Sequence, residues 1–390
     1  MRRGSVASFI PFCVPWTGAS ELREVRDSIR SGWLTTGPKV GRLEAGLSRY
    51  VGARQAVALN SCTAALHLSL AAAGVGRGDE VITSPYTFAA TGESILYLGA
   101  RPVFVDIDPR TFNIDPRGIR AAMTRRTRAI VPVHIAGLPC DLDAIGAIAR
   151  RRHLVVIEDA AHALGARIGT RKIGSISDMT CFSFYATKNL TTGEGGMVMT
   201  DSKALANRIR LLSLHGLSHG AWKRYSKGGS WRYDILEVGY KYNMTDLAAG
   251  LGLAQLGRFA MIQKRRLALA RRYNDLLGSS DVFELPPTVP GTTHAWHLYI
   301  VRLRPGVLRI GRDRLIELLR RRGIGTSVHF LPLHLHSYYR RALGHRRGDF
   351  PHTERESARA ISLPLYPGLS RGDQDRVADT LLDLSRLHRR

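Results

Sequence analysis

A lysine between an apolar segment and a glycine-rich turn is the first feature of this sequence that could do covalent chemistry. Lys188 follows the apolar run Cys181 to Tyr185 and precedes the glycine-rich segment 193–196. Lysine attacks a carbonyl group only as the neutral amine, and partial burial disfavours the ammonium form. A strand-end position among aromatic residues therefore suits a nucleophilic lysine. A surface lysine beside a hairpin would show the same local pattern, and this stretch alone does not separate the two.

An acidic residue ends a second apolar stretch. Residues 154–158 predict a buried parallel strand that ends in Asp159, at the edge where open α/β sheets bind their ligands. Pyridoxal phosphate (PLP) needs a lysine to hold its aldehyde as an imine and an acid to keep its pyridine nitrogen protonated. Taken alone, Asp159 could equally be the N-cap of the following helix. Together with Lys188 it predicts a PLP site.

Two longer motifs around these residues carry a family resemblance. They are Glu158 to Gly165 (EDAAHALG) and Phe182 to Gly196 (FSFYATKNLTTGEGG). Both resemble the DegT/DnrJ/StrS family of PLP-dependent sugar aminotransferases, which have the fold type I (aspartate aminotransferase) architecture, and the resemblance extends over nearly the whole chain. It implies an α/β fold with a large PLP-binding domain at residues 1–250, built on a mostly parallel seven-stranded-type sheet. A smaller C-terminal α+β domain would occupy residues 251–390.

The resemblance also implies which residues hold the cofactor. Lys188 would be the catalytic residue and Asp159 the acid at the pyridine nitrogen, while His162 would contact the ring or its 3-oxygen. A strand, a turn and a helix over residues 55–73 predict an anion site, because the first amides of a helix are free. In the family this turn and a serine bind the PLP phosphate, and an aromatic residue stacks on the ring. The cofactor residues implied are Cys62, Thr63, Phe88, Asp159, His162, Ser183, Lys188, Lys241 and Asn243.

Other matching positions imply contacts with the substrate and with a second subunit. Trp33, Tyr185 and His329 correspond to positions near the substrate. The irregular stretch 218–243, with Trp222 and Trp231, interleaves aromatic and basic residues that suit a nucleic acid or a nucleotide-linked sugar. In the family this loop reaches the partner's cofactor phosphate across a homodimer. Some members have Gly-Tyr-Asn-Tyr-Arg-Met where this chain has Lys241 and Asn243, so either side chain could make that contact.

Alternating strands and helices must position these residues. The alternation predicts a mostly parallel sheet with right-handed crossovers. Before it, an amphipathic helix is expected with Ser20 as its N-cap, followed by an irregular loop that extends to Val40. A long helix from about Thr245 to Leu277 is expected between the domains, and a strand from Ser327 to Phe330 in the smaller one. The apolar side of the first helix consists of Leu22, Val25 and Ile29.

The charge of the chain is unusual, with 57 basic and 32 acidic residues and a net charge of +25. Such a field would attract nucleic acids, anionic membranes or phosphorylated metabolites. The arginines are dispersed, and three of the four small clusters fall at predicted helix C-termini, where cations offset the helix dipole. A solvated surface is therefore favoured. A nucleic-acid-binding protein stays an alternative, although the sequence has no recognisable helix-turn-helix or zinc module.

Cysteine usage and hydropathy indicate a cytoplasmic chain without a metal site or a membrane partner. The four cysteines are widely spaced and form no CxxC pair. A short apolar run after the basic N-terminus is broken by Pro11 and Pro15, and no stretch approaches the ~20 apolar residues of a membrane helix. His329, His334 and His336 lie close in sequence, but Pro332 interrupts them and no acidic residue or cysteine completes a ligand set.

These features together predict a homodimeric aminotransferase with shared active sites. It would move an amino group from a donor, expected to be L-glutamate, to a keto sugar carried on a nucleoside diphosphate. A deoxysugar dehydratase is the nearest alternative, but its relatives replace the lysine with histidine, and here Lys188 is present. A cyclitol aminotransferase and a PLP-sensing regulator are further alternatives.

Overall fold

The computed structural model describes residues 8–218 and 232–390, in which strands and helices alternate. The strands are β1 Gln55–Leu59, β2 Glu80–Thr83, β3 Arg101–Phe104, β4 Thr127–Val131, β5 Val155–Asp159, β6 Arg167–Ile168, β7 Arg171–Lys172, β8 Met179–Ser183, β9 Gly196–Thr200, β10 Phe283–Glu284, β11 Thr292–Thr293, β12 Tyr299–Leu303 and β13 Ala360–Leu363. The α-helices are α1 Ala19–Ser31, α2 Pro38–Val51, α3 Cys62–Ala72, α4 Ala89–Leu96, α5 Pro116–Ala122, α6 Leu142–Arg152, α7 Lys203–Ser213, α8 Asp246–Gly257, α9 Phe259–Leu277, α10 Arg312–Arg321, α11 Ser337–Leu343, α12 Pro351–Arg359 and α13 Arg371–Leu387.

A seven-stranded sheet forms the centre of the larger part of the molecule. Its strand order is β1-β9-β8-β5-β4-β2-β3. Only β9 runs against its two neighbours, and the other pairs are parallel. The mostly parallel seven-stranded sheet expected from the sequence is therefore confirmed.

Alternate residues of the central strands enter two different apolar clusters, one on each face of the sheet. Val156 and Phe182 belong to one cluster, and Ile157 and Cys181 belong to the other. This alternation follows from the period of two along a strand, and it explains why these strands are apolar throughout. Asp159 at the end of β5 is paired in register with Cys181 of β8, so the two strand ends lie side by side.

A second, smaller sheet lies in the C-terminal part. Strands β10, β12 and β13 form it in that order and are antiparallel. Residues from α9, α10 and α13 form a separate apolar cluster with this sheet. Phe259, at the start of α9, packs in the larger core, whereas Leu269 onward packs in the smaller one. The division at residues 250 and 251 stays a prediction, and the change of core occurs later, within α9.

The single long helix predicted from Thr245 to Leu277 is wrong, because the chain forms two helices there. Arg258, with φ −117° and ψ 13°, separates α8 from α9. The break coincides with the packing of the N-terminal segment. The Arg258 guanidinium lies 4.6 Å from the Trp16 ring centroid and 2.7 Å from a carboxylate oxygen of Glu21.

The first helix is present, but its predicted N-cap is wrong, and its apolar side does not face the interior. It follows Gly18 instead of Ser20, and the Gly18 amide donates to the Glu21 carboxylate at 2.8 Å. The buried residues of α1 are Glu21 and Ser28, whereas Leu22 and Ile29 are 73% and 60% exposed. The polar side faces inward because α8 offers it hydrogen-bond partners, and the apolar side is left on the surface of the single chain.

Two further predictions fail at element boundaries. The loop expected up to Val40 is shorter, because α2 begins at Pro38, and the Asp246 carboxylate accepts hydrogen bonds from amides at its N-terminus. Residues 327–330, which the structure describes, do not form the expected strand. Ser327 forms only an isolated bridge with Ser362. Across residues 8–218 and 232–390, no helix is both long and apolar enough to span a membrane.

Candidate active site

A cavity of about 310 Å³ lies at the carboxyl ends of β5 and β8 and at the N-termini of α3 and α4. The parallel strands deliver their last residues to this edge, which is where α/β sheets bind ligands. Nine of the residues singled out in the sequence line it: Cys62, Thr63, Phe88, Asp159, His162, Ser183, Tyr185, Lys188 and His329. The acid and the amine therefore face one compartment.

Lys188 contributes an amine that is ready to lose its proton. Burial lowers the pKa of Lys188 to about 8, and nearby Cys62 and Asp159 oppose part of that shift. A lysine in water titrates near 10.4, so the neutral, nucleophilic form is far more abundant here at physiological pH. Lys188 is half-buried and lines the same cavity as Asp159, which favours a reactive lysine over the surface lysine that the local pattern also allowed.

Asp159 is held from the side by neutral donors. The Thr91 hydroxyl donates to one of its carboxylate oxygens at 2.7 Å, and the Ala161 amide donates to the other at 3.2 Å. Thr91 lies 2.7 Å from the hydroxyl of Thr87, which fixes its rotamer. Asp159 is buried, and no lysine, arginine or histidine of the described residues forms an ion pair with it. The carboxylate can therefore accept a further hydrogen bond from a ligand N–H group.

The N-terminus of α3 provides a site for an anion in the same cavity. Ser61 caps the helix by accepting from the Ala64 amide at 3.1 Å, which leaves the earlier amides at Cys62 and Thr63 without a partner in the helix. Strand β9 passes directly against this turn. A Cβ atom on Gly196 would lie 2.3 Å from the Ser61 carbonyl oxygen, so the turn can form in this position only beside a glycine.

Three uncharged imidazoles surround the lysine. Burial and the proximity of Lys188 lower the pKa of His162 and His297 well below the ordinary histidine value. The same causes lower the pKa of His329 to about 4. These rings are therefore neutral at physiological pH, so they add no positive charge to the cavity beside Lys188.

Aromatic faces line the opening of the cavity. Phe88 precedes α4 and is 63% exposed, so its ring face is available for stacking. Tyr86, the other aromatic residue of that motif, is fully buried and donates its hydroxyl to the His329 carbonyl at 2.6 Å. Phe12 stacks on the His329 ring, with 5.5 Å between centroids. The geometry thus favours Phe88 over Tyr86 as the stacking residue.

Several residues of the site were not found from the sequence. Thr91, which donates to Asp159, has no surrounding motif that distinguishes it from other threonines in helices. Phe12 lies in an irregular N-terminal segment that shows no pattern of its own. His297 and Phe330 are cavity residues without a motif of their own, and Phe330 is the last residue of the strand expected from Ser327. A polar residue such as His297 inside an otherwise apolar strand start was the one available signal.

Trp33, Lys241 and Asn243 lie elsewhere in the same chain. They line a second cavity of about 500 Å³, distinct from that of Lys188. The Lys241 ammonium donates to the Asn243 side-chain oxygen at 2.6 Å, and the Asn243 amide donates to the Thr36 hydroxyl at 2.7 Å. Trp222 and Trp231 lie outside the described residues. The roles assigned to Trp33, Lys241 and Asn243 stay predictions that a single chain does not test.

The histidines considered for a metal site lie in different environments. His329 faces the cavity and is 2.8 Å from the Ser362 hydroxyl, whereas His334 is paired with Glu354 at 2.9 Å. Within residues 8–218 and 232–390, no group of three or more His, Cys, Asp or Glu side chains could hold a metal ion.

The cavity fits PLP at each point where the cofactor needs a partner. The Nδ1 atom of His162 is buried and has no hydrogen-bond partner among the described residues, which a bound ligand would supply. Asp159 has a free acceptor, the α3 N-terminus has free donors, and Lys188 has an amine with a lowered pKa. One compartment thus provides for the pyridine nitrogen, the phosphate and the aldehyde.

Comparisons with known proteins agree with this site. The model of the DegT/DnrJ/EryC1/StrS aminotransferase family matches residues 15–382. The spore coat polysaccharide biosynthesis protein SpsC of Bacillus subtilis is 50% identical over 377 residues, which cover 96% of this chain and 97% of SpsC. The PLP-form of Spr1654 from Streptococcus pneumoniae superimposes with a TM-score of 0.91 at 36% identity, covering 97% of this chain and 99% of that one.

A second similar structure was solved with a ligand. DesI, solved in the presence of its TDP-sugar product, has a TM-score of 0.87 at 34% identity, and the match covers 97% of this chain and 93% of DesI. The family match spans nearly the entire sequence, and the cavity holds the lysine and the acid that the family's cofactor requires. The chain belongs to the DegT/DnrJ/EryC1/StrS family and is a PLP-dependent sugar aminotransferase.

Proposed function

We propose that this enzyme transfers an amino group from L-glutamate to a keto sugar carried on a nucleoside diphosphate. The observation that carries the transfer chemistry is the presence of Lys188 and Asp159 in one cavity, with the Lys188 pKa near 8. The similarity to DesI, solved with its TDP-sugar product, supports a nucleotide-linked acceptor.

The residues of the cavity divide the work around the cofactor. PLP, when bound, supplies an electron sink for the carbon that gains or loses a proton. Lys188 would hold the cofactor through its amine and, once released, would take up the proton from the α-carbon of the amino donor. Asp159 would keep the pyridine nitrogen protonated, and Phe88 would stack on the ring. Cys62, Thr63 and Ser183 would bind the phosphate at the N-terminus of α3.

A homodimer with shared sites is part of this proposal. The second cavity, with Trp33, Lys241 and Asn243, would complete the partner's active site and supply cations for its phosphates. The outward apolar face of α1 supports a second copy as its cover, because Leu22 and Ile29 are mostly exposed in one chain. Val238, close in sequence to Lys241, is 88% exposed and extends this support.

The charge and the cysteines fit the same interpretation. A net charge of +25 would steer a diphosphate substrate toward the enzyme. All four cysteines are free, and Cys62, Cys140 and Cys181 are buried, which supports the reducing cytoplasm as the site of action. A dehydratase is disfavoured because the residue at the reactive position is Lys188.

The two half-reactions test the proposal separately. The purified enzyme reconstituted with PLP should turn yellow, and L-glutamate should bleach that colour and release 2-oxoglutarate in equal amount. A panel of keto sugars on different nucleoside diphosphates is then screened for amine transfer by mass spectrometry. A free keto cyclitol serves as the rival acceptor, and transfer only to it would overturn the nucleotide-linked acceptor. Failure to take up PLP would overturn the assignment of the site, and failure with every amino acid would favour a PLP-sensing regulator.

A further inference from the structure

Asn189, the residue after Lys188, forms a buried contact with His297. The side-chain oxygen of Asn189 lies 3.2 Å from Nδ1 of His297. The side-chain amide of Asn189 donates to the Ala295 carbonyl at 2.8 Å. Asn189 and His297 are both 5% exposed, so water does not compete for either bond. The loop that carries Lys188 is thereby joined to the segment that precedes β12.

This contact fixes the tautomer of His297. Because the Asn189 NH₂ group is engaged by Ala295, its oxygen is the atom that faces the imidazole. An amide oxygen only accepts hydrogen bonds, so Nδ1 of His297 must carry the proton. The pKa of His297 is held well below its ordinary value by burial, so the ring is neutral. Its Nε2 atom is left as an acceptor, and no described residue donates to it.

The ring of His297 also supports His162. The two ring centroids are 4.4 Å apart and the planes are inclined by 35°. Gly137 holds the backbone behind them close together, since a Cβ atom there would lie 2.7 Å from the His162 carbonyl and 3.3 Å from the His297 amide. The His297 amide donates to the Ala136 carbonyl at 3.0 Å. His297 therefore has little freedom to move away from His162.

We propose that Asn189 and His297 form a positioning pair for the active site. Asn189 locks His297 as the Nδ1–H tautomer, and the locked ring sets the plane of His162, whose Nδ1 atom lacks a partner. The same bond anchors the loop next to Lys188, so the pair aligns the amine and the cofactor-facing imidazole together. The pair handles the cofactor and not the acceptor, so the inference does not depend on which keto sugar is aminated.

The tautomer is measurable in the cofactor-free protein. Side-chain ¹⁵N–¹H correlation spectra of histidine-labelled protein distinguish protonated from unprotonated ring nitrogens, and His297→Phe assigns the signal by its loss. We expect His297 to show the Nδ1–H pattern unchanged from pH 6 to 9. In Asn189→Ala the pattern should become a mixture of tautomers. An Nε2–H pattern, or a charged ring in that range, would overturn the proposal.

Two substitutions of His297 separate the hydrogen bond from the ring. His297→Asn retains a donor for Asn189 but removes the ring, whereas His297→Phe retains a ring against His162 but removes the donor. If the bond is what positions Lys188, Asn189→Ala and His297→Phe should each lower kcat of the glutamate half-reaction by roughly 10- to 100-fold. The KM for the donor should change less than about threefold, and His297→Asn should restore at least part of kcat.

Asn274→Ala is the control, because Asn274 accepts a partly buried hydrogen bond from the Tyr299 hydroxyl at 2.7 Å beside the smaller core, away from the cavity. It should lower the thermal midpoint about as much as Asn189→Ala while leaving kcat unchanged. If the Asn189–His297 contact is merely structural, Asn189→Ala, His297→Phe and His297→Asn should each lower the thermal midpoint and leave kcat unchanged. That result would refute positioning even if the tautomer were as expected.

Discussion

Two cavities of this chain differ in how complete they are. The cavity of Lys188 contains an acid, an amine, free helix amides and neutral imidazoles, all from strand ends, helix starts and adjoining loops of a single chain. The cavity of Trp33 and Asn243 has polar groups that bind one another, with Lys241 on Asn243 and Asn243 on Thr36. The first cavity has the parts for chemistry within one chain, and the second has only parts for binding.

The distribution of positive charge sharpens the contrast. Among the described residues that line the first cavity, Lys188 is the only lysine or arginine, and Glu194 adds an acid beside Asp159. The second cavity includes Arg210 and Lys241. A diphosphate substrate needs cations to bind it. In the proposed dimer, the second cavity would supply the partner with the cationic side chains that the first cavity lacks.

The largest effect should come from removing the amine of Lys188 from the first cavity. Lys188→Ala removes the nucleophile and the proton carrier, so we expect kcat/KM to fall at least 10³-fold, which corresponds to about 4 kcal/mol of transition-state stabilisation. The absorbance of the covalently bound cofactor should be lost as well. Steady-state assays and absorbance spectra of the reconstituted variant measure both effects. Retention of the wild-type spectrum would show that another residue binds the cofactor.

The next effect tests whether the second region acts on the same chain or on its partner. The double variant Lys241→Ala/Asn243→Ala should lose roughly 100-fold in kcat/KM if these side chains bind a phosphate. Unfolding and refolding it together with Lys188→Ala should restore about a quarter of the wild-type activity. Half of the dimers would be mixed, and each mixed dimer would have one intact site.

The controls for this mixture are the two variants refolded separately, which should each stay at or below about 1% of the wild-type activity. If the second region acted on its own chain, no mixed dimer would contain an intact site and mixing would restore nothing. That outcome, observed with mixed dimers verified by mass spectrometry, would contradict the shared sites of the proposal.

The same contrast shows what the sequence could reveal. The Lys188 cavity was predictable because Asp159 and Lys188 stand in long motifs at strand ends, and the sheet topology brings strand ends together without further information. Trp33 and Asn243 could be assigned only by resemblance, since their proposed ligand belongs to another subunit. Local patterns contain no trace of that partner.

The predictions that failed concern features set by packing between residues that are distant in the sequence. Leu22 and Ile29 form the apolar stripe of α1, but Glu21 and Ser28 find hydrogen-bond partners on α8, so the polar side is the one that packs, which the helical pattern does not reveal. The break at Arg258 coincides with its contact to Trp16, more than two hundred positions earlier. Gly257, the last residue of α8, is the local signal of a helix end that the predicted single helix passed over. Thr91 belongs to the site because its hydroxyl donates to Asp159, a contact that depends on the packing of α4 against β5.

A third, smaller effect is the pH dependence of cofactor capture by the first region. The neutral amine of Lys188 increases as the pH rises through its pKa of about 8. The rate at which cofactor-free enzyme binds PLP covalently should therefore rise about 50-fold from pH 6 to pH 8 and level off above pH 9. Stopped-flow absorbance measures it. Free Nα-acetyl-lysine is the control, because its rate should still rise steeply between pH 8 and 10, and an identical profile for the enzyme would contradict the lowered pKa.

The smallest effect concerns the backbone that forms the anion end of the first region. In Gly196→Ala the new Cβ atom would lie 2.3 Å from the Ser61 carbonyl oxygen and 2.6 Å from the Cys62 amide nitrogen, so the turn at α3 must shift. Because a displaced turn misdirects its free amides, we expect roughly tenfold weaker PLP binding and a loss of about 1–3 kcal/mol in the free energy of unfolding. Equilibrium titration of cofactor-free enzyme and denaturant unfolding measure the two quantities. Gly372→Ala is the matched control, since a Cβ atom on Gly372 in α13 would meet nothing within 4 Å, and it should leave PLP binding unchanged. Equal effects of the two substitutions would mean that the close approach of β9 to the Ser61 turn does not shape the phosphate site.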